Sequence, residues 1–86
     1  MDWKHIDSTI TAMVFMREFK CIALGGIKGS IVMLEVKSQL ITAYSEPVGS
    51  EVHSLLFEDD QNLLISVHVN KKVVVWSAEK LEKIVV

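Results

Sequence analysis

Short apolar segments alternate with polar or glycine-containing segments along this chain of 86 residues. The β-branched residues Val, Ile and Thr, which favour extended backbone, number 23. Because the apolar segments begin about every ten residues, the connections are too short for the crossovers of a parallel sheet. The pattern therefore predicts an antiparallel meander whose strands lie at residues 10–15, 21–24, 31–36, 40–44, 52–57, 63–67 and 73–76.

The final segment, residues 77–86, fits two kinds of secondary structure. Leu81 and Ile84 lie at helical spacing behind Ser77, a residue type that often caps helix N-termini. Residues 83–86 alone have the composition of a strand. We predict a strand here and keep the helix as the alternative.

The apolar pattern repeats with an offset of 42 residues and without a gap. Ten apolar positions of the first copy, at 10, 13–15, 22–23 and 31–34, fall on apolar positions of the second, and the polar turns coincide as well. The identical apolar pairs are Phe15 with Phe57 and Val32 with Val74. The coinciding polar turns are 16–20 with 58–62 and 26–30 with 68–72. A period of this length is typical of repeat architectures, in which each repeat packs against its neighbours.

The second copy resembles the WD repeat, which forms one four-stranded blade of a β-propeller. The resemblance rests on Gly49-Ser50 where the family usually has Gly-His, and on a polar turn at 59–62. Asn70 stands where a turn Asp is usual, and Trp76 ends the third predicted strand.

The first copy keeps the spacing of the WD repeat but not its diagnostic residues. It has Leu34 in place of the Trp and Lys28 in place of the turn Asp. The family's buried hydrogen-bond network of His, Ser, Asp and Trp is therefore reduced, by this resemblance, to Ser66, Asn70 and Trp76 in the second copy.

The resemblance implies an all-β fold made of two four-stranded antiparallel blades, incomplete as a ring. The implied division is an N-terminal segment at 1–9 that supplies a strand to a neighbouring blade, a first blade at 10–48 and a second at 49–86. The residues expected to hold the blades together are Phe15, Phe57, Ser66 and Trp76.

Two blades do not close a propeller, since known rings have about four to eight of them. An isolated pair would leave apolar blade faces in water and outer strands unpaired. We therefore expect the chain to be part of a longer protein or an obligate assembly partner, with other proteins or further blades as its partners.

Charge and cysteine content narrow the choice of partners and compartment. The net charge of −2 gives no electrostatic reason to expect nucleic acid or an anionic membrane as a partner. Apolar stretches are far shorter than the roughly 20 residues of a membrane helix. Since Cys21 is the single cysteine, no intramolecular disulfide forms, and a reducing, cytoplasmic location is expected.

No combination of residues indicates catalysis, a metal site or a cofactor. The histidines His5, His53 and His68 lack metal-ligand spacing and fall on a pre-strand segment, a strand and a turn. Cys21 opens a buried strand, where inert packing is the ordinary role. We therefore predict that the protein is not an enzyme.

Two polar segments resemble ligand-binding loops only in composition. In the segment 25–30 the lysine precedes the last glycine and a strand follows, which fits a hairpin turn and not a phosphate-binding loop. The neighbouring carboxylates Asp59 and Asp60 fit a solvated turn, because no calcium-loop pattern follows them.

The function implied by the resemblance is a non-catalytic scaffold on which other proteins assemble. The implied partner-binding residues lie in the turns and between the blades: Lys28, Glu46, Pro47, Glu51, Asn70, Lys71 and Lys72. The alternative is a small self-contained α+β domain, with residues 77–86 as a helix, that dimerises through a sheet edge as an adaptor subunit.

Overall fold

The structure is a computed structural model that describes residues 9–85, and these residues form β-strands almost throughout. The strands are β1 (Ile10–Met16), β2 (Cys21–Gly26), β3 (Ile31–Glu35), β4 (Ile41–Tyr44), β5 (Val52–Glu58), β6 (Leu63–His68), β7 (Val73–Ser77) and β8 (Glu82–Val85). The helical part of the described chain is a 3₁₀ turn of three residues, Arg17–Phe19, far too short to cross a bilayer. Except for Thr9, the predicted N-terminal segment lies outside the described residues, as does His5.

The strands form two four-stranded antiparallel sheets, with the orders β1-β2-β3-β4 and β5-β6-β7-β8. Each strand pairs with its neighbour in sequence, as short turns dictate. The prediction of an all-β fold with two such sheets, open and not closed into a ring, is therefore confirmed.

The chain end forms a strand, so the helix proposed as an alternative for residues 77–86 is wrong, and with it the α+β fold. Leu81 has a left-handed backbone, with φ of 55°, and its N–H donates to the Ser77 carbonyl at 2.7 Å. This tight turn reverses the chain, and β8 then pairs with β7.

The two sheets repeat each other in backbone detail at the 42-residue offset. Both have a bulge near the start of the first strand, at Ile10/Ala12 and Val52/Ser54. Residues with positive φ occur in matched pairs: Lys20 with Asn62, Gly29 with Lys71, and Gln39 with Leu81. The equivalent turns therefore have the same geometry even where their residues differ.

Side chains alternate between two faces of each sheet, which we call the front and the back. The front face of the second sheet carries Val52, Leu55, Phe57, Leu64, Ser66, His68, Val74 and Trp76. The back face of the first sheet carries Ala12, Val14, Met16, Cys21, Ala23, Gly25, Ile31 and Met33. Most of the hydrophobic core comes from these two sets, so it lies between the sheets, and Ala78 and Leu81 from the β7–β8 turn add to it.

The sheets come closest where β1 and β2 meet β5. A Cβ on Gly25 would lie only 2.7 Å from a methyl carbon of Val52, so only glycine allows this approach. The Thr11 hydroxyl donates to the Val52 carbonyl at 2.6 Å, which ties β1 to β5. At the opposite ends of these strands, the rings of Phe19 and Phe57 meet edge to face, with centroids 6.1 Å apart.

Phe15 does not belong to the core, which corrects the sequence prediction. Its side chain is 56% exposed, whereas its repeat equivalent, Phe57, packs against the core. Both residues lie on the front face of their sheet, but the first sheet covers only the front of the second. The prediction failed because the two copies share the same pattern of apolar residues, and this pattern does not specify which copy has its front face covered by another sheet.

Introducing a side chain at Gly25 tests the close approach of the sheets. We expect Gly25→Ala to lower the free energy of unfolding by about 1–3 kcal/mol, because the new methyl group overpacks against Val52. Adding Val52→Ala removes both clashing methyl groups and leaves only the Cβ of residue 52 close, so the double variant should lose less than the sum of the single losses. Chemical denaturation at one fixed protein concentration measures all three variants, and additive losses would contradict the contact.

Candidate functional site

One end of the two sheets gathers three connections, which we call the upper rim: residues 27–30, 45–51 and 69–72. The first and last of these are the β2–β3 and β6–β7 turns. Because β4 returns toward the β2–β3 turn before the chain enters β5, the 45–51 connection lies at the same end. Topology alone therefore places all three on one rim.

The upper rim contains all seven residues predicted to bind partners. Glu51 is half-buried and the other six are exposed: Lys28, Glu46, Pro47, Asn70, Lys71 and Lys72. The structure thus brings them to one surface, and their role in binding stays a prediction.

The turns of the upper rim are held by backbone hydrogen bonds that recur in both sheets. In the first sheet, the Gly29 N–H donates to the Gly26 carbonyl at 3.0 Å. In the second, the Lys71 N–H donates to the His68 carbonyl at 2.9 Å. The Asn70 side chain adds a further bond, since its Oδ1 accepts from the Lys72 N–H at 3.0 Å. These turns therefore present their exposed side chains from a fixed backbone.

The connection between the sheets is fastened to the first sheet's turn at Gly29. This residue has φ of 89°, and a Cβ there would lie 2.5 Å from the Ser50 carbonyl oxygen. Nearby, the Gly49 N–H donates to the Lys28 carbonyl at 3.0 Å, and the Val48 N–H donates to the Gly29 carbonyl at 3.3 Å. The left-handed backbone favours glycine, and the close contact requires it.

A buried chain of hydrogen bonds lies directly beneath the rim in the second sheet. Trp76 donates its Nε1–H to the Ser66 Oγ at 2.9 Å, and that Oγ lies 2.9 Å from His68 Nε2. His68 Nδ1 lies 2.8 Å from the Ser50 carbonyl oxygen. Ser66, His68 and Trp76 are all buried.

The Ser50 carbonyl at the end of this hydrogen-bond network determines which group donates and which accepts in each bond. A carbonyl oxygen only accepts, so His68 Nδ1 carries a proton and donates it to Ser50. In the neutral ring, Nε2 then accepts from the Ser66 hydroxyl, and the Ser66 oxygen is left to accept from Trp76. Every member is satisfied, and the network fixes the distance between the rim and the core.

The composition of this network corrects the sequence prediction. Ser66 and Trp76 take part as expected, but Asn70 is exposed and serves the turn instead. His68, predicted to lie in a turn, is the last residue of β6 and is 2% exposed. The missed signal is the two-residue spacing of Ser66 and His68, which places both on one face of a strand.

A groove of about 290 Å³ lies below the connection between the sheets. It is lined by Glu46, Pro47, Val48, Trp76 and Lys83. Two of the predicted partner-binding residues, Glu46 and Pro47, therefore border a concave surface that Trp76 also lines.

The second sheet has turns of opposite charge at its two ends. Its upper turn carries Lys71 and Lys72, and its lower turn carries Asp59 and Asp60. The lower turn of the first sheet, at residues 17–20, carries charges of both signs.

Among residues 9–85, the group that brings three potential metal-ligating side chains together is Glu58, Asp59 and Asp60, all exposed. Within it, Glu58 Oε1 accepts the Asp60 N–H at 2.9 Å and so stabilises the turn.

Comparisons of this chain with protein-family models and with curated proteins found no match.

Removing the hydroxyl of Ser66 tests the buried network. We expect Ser66→Ala to lower the free energy of unfolding by about 1–3 kcal/mol, since it leaves the Trp76 N–H and His68 Nε2 buried and unpartnered. Ser54→Ala, on the half-buried back face of the same sheet, is the matched control and should change stability by less. Chemical denaturation measures both.

Combining Ser66→Ala with Trp76→Phe separates the hydrogen bond from packing. Because the Trp76 N–H donates to the Ser66 hydroxyl oxygen, the losses of unfolding free energy caused by the two substitutions should be non-additive by about 0.5–3 kcal/mol. Independent losses would show that Trp76 contributes by packing alone.

Proposed function

We propose that this chain is a non-catalytic scaffold for protein–protein interaction and forms part of a WD-repeat-like propeller. The observation that carries the proposal is the backbone repeat, in which turns, bulges and left-handed residues recur at an offset of 42 residues. The repeat packs the back of one four-stranded sheet on the front of the next, which is how propeller blades stack.

The buried network of the second sheet also supports a WD-like blade. A Trp on the third strand, a Ser on the second and a His near the rim are joined in one hydrogen-bonded chain. In this protein the histidine comes from the end of β6, where it reaches the carbonyl of Ser50. Ser50 itself occupies the position where the WD repeat usually has its histidine.

The chemically reactive side chains within the core have structural partners, which supports a non-catalytic role. Cys21 is buried, and its thiol donates to the Phe19 carbonyl at 3.2 Å. Both ring nitrogens of His68 are engaged in the network, and the Ser66 hydroxyl lies between two partners. These groups stabilise the blade.

The upper rim is the surface that fits a protein partner best. Its turns are held by hydrogen bonds, so binding requires little ordering of the backbone. Lys71 and Lys72 are exposed side by side on the second sheet. We propose that they contact an acidic surface of the partner.

Charge reversal on the upper rim tests this assignment. We expect Lys71→Glu combined with Lys72→Glu to weaken partner capture roughly tenfold through lost attraction. The measurement is affinity capture from cell extract with the full chain, quantified by mass spectrometry. Added salt should weaken capture by the unaltered chain as well.

Reversing the acidic turn provides the matched control. Asp59→Lys with Asp60→Lys changes the same number of charges at the opposite end and should leave the captured proteins unchanged. Circular dichroism checks that both variants keep their strand content. If the unaltered chain and the Lys71/Lys72 variant capture equal amounts of protein, Lys71 and Lys72 do not contact the partner.

A further inference from the structure

Part of the front face of the first sheet is buried, although the second sheet packs against the opposite face. Val32 lies on this front face, since its strand neighbours Ile31 and Met33 belong to the back. It is 1% exposed, yet it is not part of the core between the sheets. Gly26, on the same face at the upper rim, is buried as well. Among the described residues, no second sheet covers this area.

The uncovered back of the second sheet shows how much exposure an open face leaves. Ile65, Val67 and Val75 are half-buried there, and Val73 is 46% exposed. None of these four residues approaches the burial of Val32, although all lie on the two inner strands of their sheet, as Val32 does. Neighbouring strands alone therefore do not account for the burial of Val32.

The buried area lies at the end of the first sheet from which the N-terminal segment extends. The Thr9 carbonyl accepts a hydrogen bond from the Ile27 N–H at 3.1 Å, so residues 1–8 join the first sheet at the upper rim. Farther from this rim on the same face, Met13 is 62% exposed and Phe15 is 56% exposed. The cover is thus confined to the part of the front face that residues 1–8 reach first.

The repeat identifies the equivalent segment of the second sheet. At the 42-residue offset, residues 3–9 correspond to 45–51, the connection between the sheets. The correspondence holds at its last residue, since the Glu51 carbonyl accepts from the Val69 N–H at 3.0 Å, as the Thr9 carbonyl accepts in the first sheet. The N-terminal segment and the connection therefore enter their sheets in the same way.

In the second sheet, this connection provides an apolar contact. Val48 packs against the core and lines the groove that Trp76 also lines. The repeat equivalents are Ile6 in the N-terminal segment and Leu34 on β3, two residues from Val32. Both are apolar, so the segment contains the residue type that covering this area requires.

We propose that residues 3–8 bind the front of the first sheet of their own chain, with Ile6 against Leu34, and bury Val32. The segment thereby takes the place that the connection has in the second sheet, and its binding surface is its own sheet rather than a neighbouring blade. The buried Ser30 hydroxyl, next to this area, has no hydrogen-bond partner among the described residues. Since buried polar groups are ordinarily paired, a partner from this segment fits it as well.

A disulfide between residues 6 and 34 tests the proposal. Ile6→Cys and Leu34→Cys are combined in the full chain with Cys21→Ala, which removes the single native thiol. A disulfide requires Cα atoms within about 7 Å of each other, so contact between the two positions allows oxidised glutathione to close it. We expect an intramolecular disulfide, detected by mass spectrometry as a monomer that has lost two hydrogens, to form roughly tenfold faster than in the control.

Ile6→Cys with Leu56→Cys in the same Cys21→Ala chain is the matched control. Leu56 is 56% exposed on the uncovered back of the second sheet, so its thiol replacement is accessible but faces away from the first sheet. Circular dichroism identifies a variant that fails to fold. A second pair, Ile6→Cys with Ile41→Cys, covers that case, because Ile41 pairs directly with Leu34 on the neighbouring strand.

Two results would overturn the proposal. Disulfide-linked dimers as the main product would show that a second copy supplies the segment. If neither the 6–34 pair nor the 6–41 pair closes faster than the control, the segment lies elsewhere. Neither result bears on the scaffold function, which is tested separately by capture through Lys71 and Lys72.

Discussion

The packing of one sheet on the next is the interaction on which the whole structure depends. A four-stranded sheet of this size has no core of its own, because its side chains point to two faces that do not contact each other. The residues that the first sheet contributes to the core belong to its back, and those that the second contributes belong mainly to its front. Folding of each sheet is therefore coupled to the presence of the other, as in repeat proteins whose stability depends on contacts between neighbours.

The same packing explains where polar groups are tolerated in the interior. Ser66, His68 and Trp76 form a closed hydrogen-bond chain on the one front face that a second sheet covers. The equivalent positions of the first sheet are Leu24, Gly26 and Leu34, which carry no polar side chains. An uncovered network would exchange its bonds with water and contribute little, whereas a covered one fixes the geometry of the rim.

The fold was predictable because its determinants are local. Strand spacing, turn composition and the repeat all depend on residues close in sequence, and they correctly predicted two antiparallel sheets and a final strand, expected at 83–86 and observed at Glu82–Val85. The turn at Leu81 was less apparent, since a leucine with left-handed backbone has no sequence signature. In the structure the equivalent Gln39 turns in the same way, so the repeat extends to this turn.

The site was only partly predictable, because it depends on which face is covered and on which side chains meet. Phe15 and Phe57 have the same place in the pattern, and only the order of the sheets makes one exposed and the other part of the core boundary. Asn70 was expected in the buried hydrogen-bond network because it stands where the WD repeat usually has a turn Asp. In the structure its side-chain oxygen instead accepts a hydrogen bond from the Lys72 N–H.

The back faces of the two sheets differ in side-chain size, and the difference matches what each face packs against. Gly25 on the back of the first sheet allows the close approach of Val52 from the second sheet. The second sheet has the larger Ile65 and Val67 on its back, where no described residue of the chain requires such an approach. If both sheets had the same surroundings, similar side chains would serve at both positions. The difference between Gly25 and Val67 follows these surroundings, since among the described residues only the back of the first sheet packs against another sheet.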